Sequence, residues 1–192
     1  MYIIFDTETN GLPKNWKAQP TDVNNWPRIV QLGWAVFNEQ GQQVRGRQHI
    51  IKPDGWIIPK EASDVHGITL ERANDEGISI FSALGLFLAD YQDAHTLIAH
   101  NLAFDYPVVT AELIRAGLRA TKKVENKVCT MESSTKYCKI PGPSGRGYKW
   151  PKLEELHQFL FLETFEGAHD AMVDVLACAR CFFELKKRGI IR

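Results

Sequence analysis

The stretch YIIFDTETNG, residues 2–11, combines an apolar run with two acidic residues and is the starting point for predicting the fold. Its first four residues are apolar and are followed by acidic and turn-forming residues, which predicts a short buried strand over residues 2–5. Side chains alternate between faces in an extended chain, so Asp6 and Glu8 point to the same side. Ligands usually bind at the carboxyl ends of strands in α/β sheets, and two carboxylates there are suited to binding cations.

The rest of the sequence predicts a meander of strands followed by alternating helices and strands. Residues 9–27 and 52–69 are read as loop or irregular structure. The predicted strands are 28–37, 43–51, 96–100 and 127–131, and the predicted helices are 78–92, 102–118, 152–161 and 169–189. This pattern predicts one α/β domain over residues 1–192, with a mixed five-stranded sheet flanked by helices.

Composition narrows the class of protein. Hydrophobic residues make up 44% of the 192 residues and charged residues 24%, as in an ordinary globular protein. Lys and Arg together number 23, as do Asp and Glu, and this balance argues against a protein that coats nucleic acid through bulk positive charge. No signal peptide or membrane-spanning run is evident in the sequence, so we expect a cytoplasmic protein with no membrane partner.

The four cysteines include a C-x2-C pair formed by Cys178 and Cys181, which raises the alternatives of zinc binding or redox chemistry. The pair lies inside an apolar helical pattern, and no second C-x2-C or H-x3-H partner follows it. We therefore expect reduced thiols that behave as small apolar side chains, in keeping with a cytoplasmic compartment.

A second acidic motif is HNLAFD, residues 100–105, at the predicted passage from the fourth strand into a helix. Asn101 is a suitable N-cap, and Asp105 then lies one turn into the helix. If the first and fourth strands are neighbours, Asp105 approaches the end of the first strand. The alternative is that Asp105 only interacts favourably with the helix dipole.

A third motif, HDAMVD at residues 169–174, opens the final predicted helix. Asp170 and Asp174 are spaced i, i+4 and share a face, with His169 just before the first turn. The alternative is that His169 and Asp170 cap the helix and that Asp174 is solvated. Asp174 has apolar neighbours on both sides, and a carboxylate in such surroundings needs a partner such as a metal ion.

The carboxylates of these three segments suit a site for two divalent metal ions. Mg²⁺ prefers oxygen ligands, and Mn²⁺ accepts them as well. In a two-metal site one ion activates a water molecule for attack on phosphorus, and the second stabilises the leaving oxygen. Because a histidine side chain exchanges its proton near neutral pH, His169 is a candidate to accept the proton of that water.

Four ordered segments resemble those of the DEDDh (DnaQ-like) 3′–5′ exonucleases, a family that includes the proofreading subunit of bacterial replicative DNA polymerase. They are FDTETNGLP (5–13), IPKEASDVHGIT (58–69), HNLAFD (100–105) and HDAMVD (169–174). The resemblance spans residues 2 to about 185. It implies a ribonuclease H-like fold and a metal-dependent hydrolase that releases nucleoside 5′-monophosphates from the 3′ end of DNA.

The resemblance also implies roles for individual residues. It makes Asp6, Glu8, Asp105 and Asp174 the ligands of two Mg²⁺ ions, with Asp6 bridging both. It makes His169 the general base, because the spacing from His169 to Asp174 is the H-x4-D of the histidine subclass. All five are expected to be catalytic.

A substrate-binding set follows from the same resemblance. Gly11 and Leu12 match a segment that contacts the terminal nucleotide, with the Leu12 side chain wedged against its base. The matching positions in the pocket are Thr7, Gly11, Leu12, Val65, His66 and Phe104. The alternatives are that Leu12 and Val65 are core residues, that Phe104 packs its helix onto the sheet, and that His66 caps the next segment.

The implied partner is nucleic acid with a single-stranded 3′ end, in DNA repair or proofreading and in association with a polymerase or repair complex. Three alternatives stay open at this point. In the first, the chemistry is the same but the substrate is RNA. In the second, the chain is a non-catalytic nucleic-acid-binding or polymerase-associated module. In the third, it is a phosphohydrolase that acts on nucleotides. The complete set of acids argues against the non-catalytic module.

Two segments depart from the proofreading subunits. Residues 133–153 contain five basic residues and no acidic residue, with aromatic residues among them. We hypothesise that this stretch, including the loop 141–151, guides a single strand, since basic residues follow phosphates and aromatic faces stack on bases. The alternative is a solvated loop whose Trp150 packs on the domain. Residues 13–27, with Trp16 and Trp26, receive no assignment beyond packing.

Overall fold

The computed structural model of the protein describes residues 1–143 and 145–191, so Ser144 of the basic loop lies outside the described residues. The strands are β1 (Tyr2–Thr9), β2 (Ile29–Phe37), β3 (Gln43–Ile50), β4 (Thr96–Ala99) and β5 (Asn126–Cys129). The helices are α1 (Lys60–His66), α2 (Leu70–Glu76), α3 (Ile80–Tyr91), α4 (Leu102–Arg115), α5 (Thr130–Cys138), α6 (Leu153–Phe161) and α7 (Ala171–Lys187).

The five strands form one mixed sheet in the order β3-β2-β1-β4-β5. The first three strands are the predicted antiparallel meander. The β4 strand is parallel to β1 and to β5. The predicted mixed five-stranded sheet is therefore confirmed, and so is the condition that places β1 and β4 side by side.

Alternation along β1 divides the core into two layers. Ile3 and Phe5 pack with α3 and α4 on one face of the sheet. Tyr2 and Ile4 pack with α6 and α7 on the other face. A continuation of this alternation turns Asp6 and Glu8 toward the α7 layer and Thr7 toward the α4 layer. The opposite faces of one strand thus contribute to two walls of the same site.

Several predicted boundaries are wrong. Residues 52–69 contain α1, which lies between Pro59 and the left-handed Gly67, and α2 follows immediately. The fifth strand ends at Cys129, where α5 begins, because Thr130 and Ser134 turn inward and are buried. The first strand extends to Thr9 through its pairing with β2. Short elements such as these carry weak periodic signals.

The last helix begins two residues later than predicted, at Ala171, because Asp170 occupies the N-cap. It ends at Lys187, and Gly189 follows with a φ of 71°, as expected of a glycine just past a helix end. None of the helices in the described part of the chain has the length and apolar character needed to cross a membrane.

Candidate active site

One cavity of about 720 Å³ opens at the carboxyl ends of β1 and β4. It is lined by all the residues that the sequence assigned to catalysis, metal binding or substrate binding: Asp6, Thr7, Glu8, Gly11, Leu12, Val65, His66, Phe104, Asp105, His169 and Asp174. Four separate segments of the chain therefore converge here, although the first and the last are far apart in sequence.

Asp105 is fixed against β1 by Thr7. The backbone N–H and the hydroxyl of Thr7 both donate to Oδ1 of Asp105, at 3.0 and 2.7 Å. Asp105 is buried in the first turn of α4, and Asn101 holds the N-cap position in a left-handed conformation. The predicted N-cap is therefore confirmed, although the Asn101 side chain makes no capping hydrogen bond. The contact with Thr7 shows that Asp105 does more than interact with the helix dipole.

Helix α7 approaches the site because β2 carries a glycine opposite Asp6. Gly33 pairs with Asp6 in the sheet, and a Cβ at Gly33 would lie 2.8 Å from the backbone carbon of Ala171. No side chain larger than hydrogen fits between the strand and the first turn of α7 without a shift. This close approach places the start of α7 over the acidic end of β1.

The first N–H groups of α7 are bound by side chains from the sheet and from the N-cap. Gln31 accepts from the N–H of Ala171 at 2.9 Å, and Gln48 accepts from that of Met172 at 3.1 Å. Asp170 also accepts from Met172, at 3.1 Å, and receives a hydrogen bond from Gln48 at 2.8 Å. Asp170 is thus the capping residue that the alternative interpretation required, and it does not line the cavity.

Asp174 and His169 face Glu8 across the cavity. One ligand atom from each of these three side chains lies within 4.8 Å of the others. The backbone N–H of His169 donates to Oδ2 of Asp174 at 3.0 Å. His169 has a φ of 70°, an uncommon conformation for a residue other than glycine and one that tends to occur at functional sites.

The four carboxyl groups resist ionisation together. Burial raises the pKa of Asp6 well above its usual range, and the charges of Asp105, Asp174 and Glu8 raise it further. Burial followed by repulsion from Asp174 raises the pKa of Glu8 to about 8. Burial also raises the pKa of Asp105 to about 7, against the opposing hydrogen bonds from Thr7, and that of Asp174 to about 6.

These shifts and the donor set fit a divalent cation. Carboxylates that repel one another in a buried cluster need a positive partner to ionise together at neutral pH. All the acidic ligands offer oxygen, and no cysteine lines the cavity among the described residues. Oxygen donors of this kind favour Mg²⁺ or Mn²⁺. Asp6, Glu8, Asp105 and Asp174 are the side chains that would hold the ions.

The apolar part of the cavity is exposed rather than packed into the core. Leu12 is 72% exposed and Val65 is 56% exposed, so the alternative that they are core residues is wrong. His66 fulfils both interpretations, because it lines the cavity while its Nδ1 accepts from the N–H of Ile68 at 3.1 Å. Burial lowers the pKa of His66, which favours the neutral ring.

Sequence reasoning missed Trp16 as a cavity residue. Trp16 is 54% exposed, and its ring lies 5.7 Å from that of Phe104, with an angle of 42° between the ring planes. Trp26 is buried and fits the expectation of packing. The other lining residues not predicted for the substrate pocket include Asn10, Pro59, Glu61 and His100. The sequence offers a tryptophan in a Pro- and Asn-rich segment as a signal for Trp16, but Trp26 carries the same signal.

His100 connects the cavity to the basic loop 141–151. Its Nε2 lies 3.0 Å from the carbonyl oxygen of Pro151, and its Nδ1 lies 3.0 Å from the hydroxyl of Thr130. Burial lowers the pKa of His100 to about 4. A neutral ring satisfies both contacts if Nε2 carries the proton, donates to Pro151 and leaves Nδ1 to accept from Thr130. The loop is thereby attached beside the acidic cluster.

The loop itself is only partly available to a ligand. Lys149 pairs with Glu155 at 2.5 Å, whereas Arg146, Tyr148 and Trp150 are exposed. The exposure of Trp150 contradicts the alternative in which it packs on the domain.

The four cysteines are free and buried, and burial raises the pKa of both Cys178 and Cys181, in keeping with inert thiols.

Comparison with known families gives this site a context. A family model described as Exonuclease (RNase_T) matches residues 3–182. This chain belongs to that exonuclease family. The predicted resemblance to DnaQ-like 3′–5′ exonucleases is confirmed, and the family and fold mark the chain as a nuclease. Members of the exonuclease family depend on divalent metal ions.

Two curated relatives are larger proteins. The chain is 25% identical over 172 residues to the 3′–5′ exonuclease DinG of Bacillus subtilis, covering 90% of this chain and 16% of DinG. It is 27% identical over 195 residues to the DNA polymerase III subunit epsilon-like protein of Rhodobacter capsulatus, covering 98% of this chain and 25% of that protein. The chain thus spans a quarter or less of the length of these relatives.

Solved structures of exonuclease I share the fold. The E. coli enzyme in complex with a dT13 oligonucleotide superposes with a TM-score of 0.77 at 18% identity, covering 98% of this chain and 41% of that one. Exonuclease I of Methylocaldum szegediense gives a TM-score of 0.76 at 19% identity, covering 97% and 40%. The predicted ribonuclease H-like fold is confirmed.

Proposed function

We propose that this chain is a DEDDh-type 3′–5′ exonuclease that releases nucleoside 5′-monophosphates from the 3′ end of DNA. One observation carries the proposal: four carboxyl groups with raised pKa values and a histidine meet in one open cavity of about 720 Å³. The lining combines carboxylates, which are suited to cations, with the apolar side chains of Leu12, Val65 and Phe104, which are suited to a base. A phosphodiester between nucleotides requires both.

Four acidic residues are the proposed ligands of two divalent ions. Asp6, Glu8, Asp105 and Asp174 would hold the two ions, and Asp6 lies close enough to the other three acids for their charges to raise its pKa. When bound, the ions supply an activated water molecule and neutralise charge at the leaving oxygen. Thr7 keeps Asp105 in position through its two hydrogen bonds, and the packing of α7 on Gly33 keeps Asp174 in position.

His169 is the general base. Its side chain lies beside Glu8 and Asp174 and is exposed to the cavity, so it can accept the proton of the attacking water. The H-x4-D spacing to Asp174 supports the histidine subclass. We expect His169→Ala to reduce kcat by about 100-fold or more while KM changes little, because general-base catalysis contributes about 10²–10⁴-fold.

The terminal nucleotide contacts the apolar side chains of the cavity. Leu12 and Val65 project into the cavity from opposite segments, and Phe104 lies at the start of α4. We infer that Leu12 is wedged against the terminal base and that Gly11 and His66 contact the same nucleotide. The solved complexes of exonuclease I with DNA oligonucleotides support DNA as the substrate and a single strand as its form.

We also propose that the loop 141–151 follows the phosphates of the strand as it leaves the cavity. The hydrogen bond from His100 to Pro151 holds the loop next to the site, and Arg146 is exposed on it. A polymerase or repair complex is the proposed larger partner, supported by the likeness to a polymerase III epsilon-like protein.

The test is digestion of a 5′-labelled single-stranded DNA in Mg²⁺, beside an RNA of the same sequence. We expect a ladder that shortens from the 3′ end, faster for DNA, and that disappears with EDTA or Asp6→Asn. Asp75→Asn is the matched control, since Asp75 is exposed on α2 and does not line the cavity. Faster digestion of RNA would reassign the substrate, and no shortening of either polymer would refute the catalytic proposal.

A further inference from the structure

The segment that follows Leu12 is held by hydrogen bonds although it contains no helix or strand. The buried Asn25 accepts from the backbone N–H of Asn15 at 2.7 Å and donates to the carbonyl oxygen of Asn15 at 3.0 Å. The backbone N–H of Lys14 donates to the carbonyl oxygen of Asn25 at 3.1 Å. These hydrogen bonds join residues 14–15, which precede Trp16, to residue 25 further along the segment.

The far side of this segment is fixed to helix α4. Arg115 donates to the carbonyl oxygens of Val23 and Trp26. Glu112, which is buried, pairs with Arg115 at 3.0 Å and with Arg28 at 2.7 Å. A buried acid between two arginines anchors the segment to the same helix that carries Phe104 and Asp105.

Trp16 is presented by this segment at the cavity. The indole is 54% exposed although the chain on both sides is tied down, and it inclines toward Phe104 at 5.7 Å. Trp26, in the same segment, is 3% exposed, and its indole N–H donates to Gln19 at 3.1 Å. The same segment therefore uses one tryptophan for packing and leaves the other facing the solvent of the cavity.

Position and chemistry together indicate what Trp16 contacts. It lines the cavity along with Leu12 and Phe104, and its ring lies 5.7 Å from that of Phe104. Aromatic faces bind successive nucleobases by stacking, and they do so for a base that is free of its duplex partner. A large aromatic fixed in place also loses little conformational freedom on binding.

We propose that Trp16 stacks on an unpaired nucleobase next to the one at Leu12 and so gives the enzyme its preference for single-stranded 3′ ends. This inference rests on the proposed function. Arg115 and Glu112 are then positioning residues for Trp16, and the Phe104 ring packs beside it.

The test measures kcat/KM on two substrates and the affinity for one oligonucleotide. The variants are Trp16→Ala, Trp16→Phe and Phe81→Ala, the last removing an exposed aromatic on α3 outside the cavity. The affinity for a fluorescein-labelled dT oligonucleotide is measured in Ca²⁺, and kcat/KM is measured in Mg²⁺ with the oligonucleotide and with thymidine 5′-(4-nitrophenyl phosphate). The second substrate has a single base and nothing to stack on Trp16.

We expect Trp16→Ala to bind the oligonucleotide about 5- to 150-fold more weakly, the range that loss of one stacked base gives. The salt dependence should not change, because no phosphate contact is lost. Trp16→Phe should recover most of the affinity, and Phe81→Ala should match the wild type. The loss on the one-base substrate should be much smaller than the loss on the oligonucleotide.

Three results would overturn the inference while the wild type remains active: equal affinity of Trp16→Ala and wild type, an equal loss on both substrates, or an equal loss in Phe81→Ala. If the wild type hydrolyses neither substrate, the proposed function fails instead. Thermal melting of each variant separates a local loss of contact from unfolding, and Trp16→Phe remains informative if Trp16→Ala does not fold.

Discussion

Replacement of Glu8 by glutamine should stabilise the metal-free protein at pH 8 while it abolishes activity. In the folded chain, burial and repulsion from Asp174 raise the pKa of Glu8 from 4.5 to about 8. The unfolded chain ionises this group near its ordinary pKa, so between pH 4.5 and 8 the folded state holds a proton that the unfolded state has lost. The free energy of unfolding therefore falls as pH rises through this window.

The magnitude follows from that window. One group lowers the free energy of unfolding by about 1.4 kcal/mol for each pH unit between its two pKa values. For Glu8 the upper limit of the loss is about 4 kcal/mol at pH 8 and about 1 kcal/mol at pH 5. Glutamine has no proton to lose, so Glu8→Gln should raise Tm by up to about 10 °C at pH 8 and by little at pH 5.

The assay is thermal melting in EDTA and in Mg²⁺ at both pH values. The wild type should gain more from Mg²⁺ at pH 8 than at pH 5, because at pH 5 the protons compete with the ions for the carboxylates. Glu8→Gln should gain less from Mg²⁺ than the wild type does. The control is Glu61→Gln, whose carboxyl is exposed at the same cavity. A lower Tm for Glu8→Gln than for the wild type in EDTA at pH 8 would refute the reasoning.

Three further substitutions test the close contact between β2 and α7 and the role of the basic loop. Gly33→Ala forces a Cβ to within 2.8 Å of the Ala171 backbone. We expect it to lower both Tm, measured by thermal melting, and kcat, measured by steady-state kinetics. An unchanged kcat would show that the position of α7 does not matter for catalysis. Arg146→Ala should weaken oligonucleotide binding and reduce the slope of log K against log salt by about 1. Lys149→Ala should have a smaller effect because Lys149 is paired with Glu155. Equal affinities and slopes for all three proteins would exclude the loop as a phosphate contact.

The acidic cluster could be predicted from sequence because its geometry is local to each segment. Alternation along β1 places Asp6 and Glu8 together, and a helix that follows β4 places Asp105 one turn in. The i, i+4 spacing placed Asp170 and Asp174 on one face but did not say which of them reaches the cavity. The structure decides this through Gln48, which bonds to Asp170 from a strand 122 residues away.

The exposed aromatic site could not be predicted in the same way. The segment from residue 13 to residue 27 has no period of its own, and its shape depends on Arg115, which binds its carbonyl oxygens from α4. Such long-range contacts leave no mark on the spacing of residues in the segment. Its two tryptophans therefore look alike in sequence, although Trp26 is buried and Trp16 faces the cavity.

The short elements escaped prediction for a different reason. Helices α1 and α2 have seven residues each and lie between Pro59, Gly67 and Gly77, so turn-forming residues dominate the local pattern. Isolated helices of this length are not stable in water and depend on tertiary packing. Here Ala73 of α2 packs in a small cluster with Ile58 and Ile68.

The central claim is that metal ions held by Asp6, Glu8, Asp105 and Asp174 contact the scissile phosphate. The most direct measurement is the hydrolysis rate of a single-stranded DNA whose 3′-terminal linkage carries sulfur in place of one non-bridging oxygen, with the two diastereomers assayed separately. Mg²⁺ requires oxygen ligands, whereas the softer Mn²⁺ tolerates sulfur better. We predict that one diastereomer is hydrolysed much more slowly than the unmodified strand in Mg²⁺ and recovers in Mn²⁺. Equal rates for both diastereomers and the unmodified strand in either metal would contradict the account.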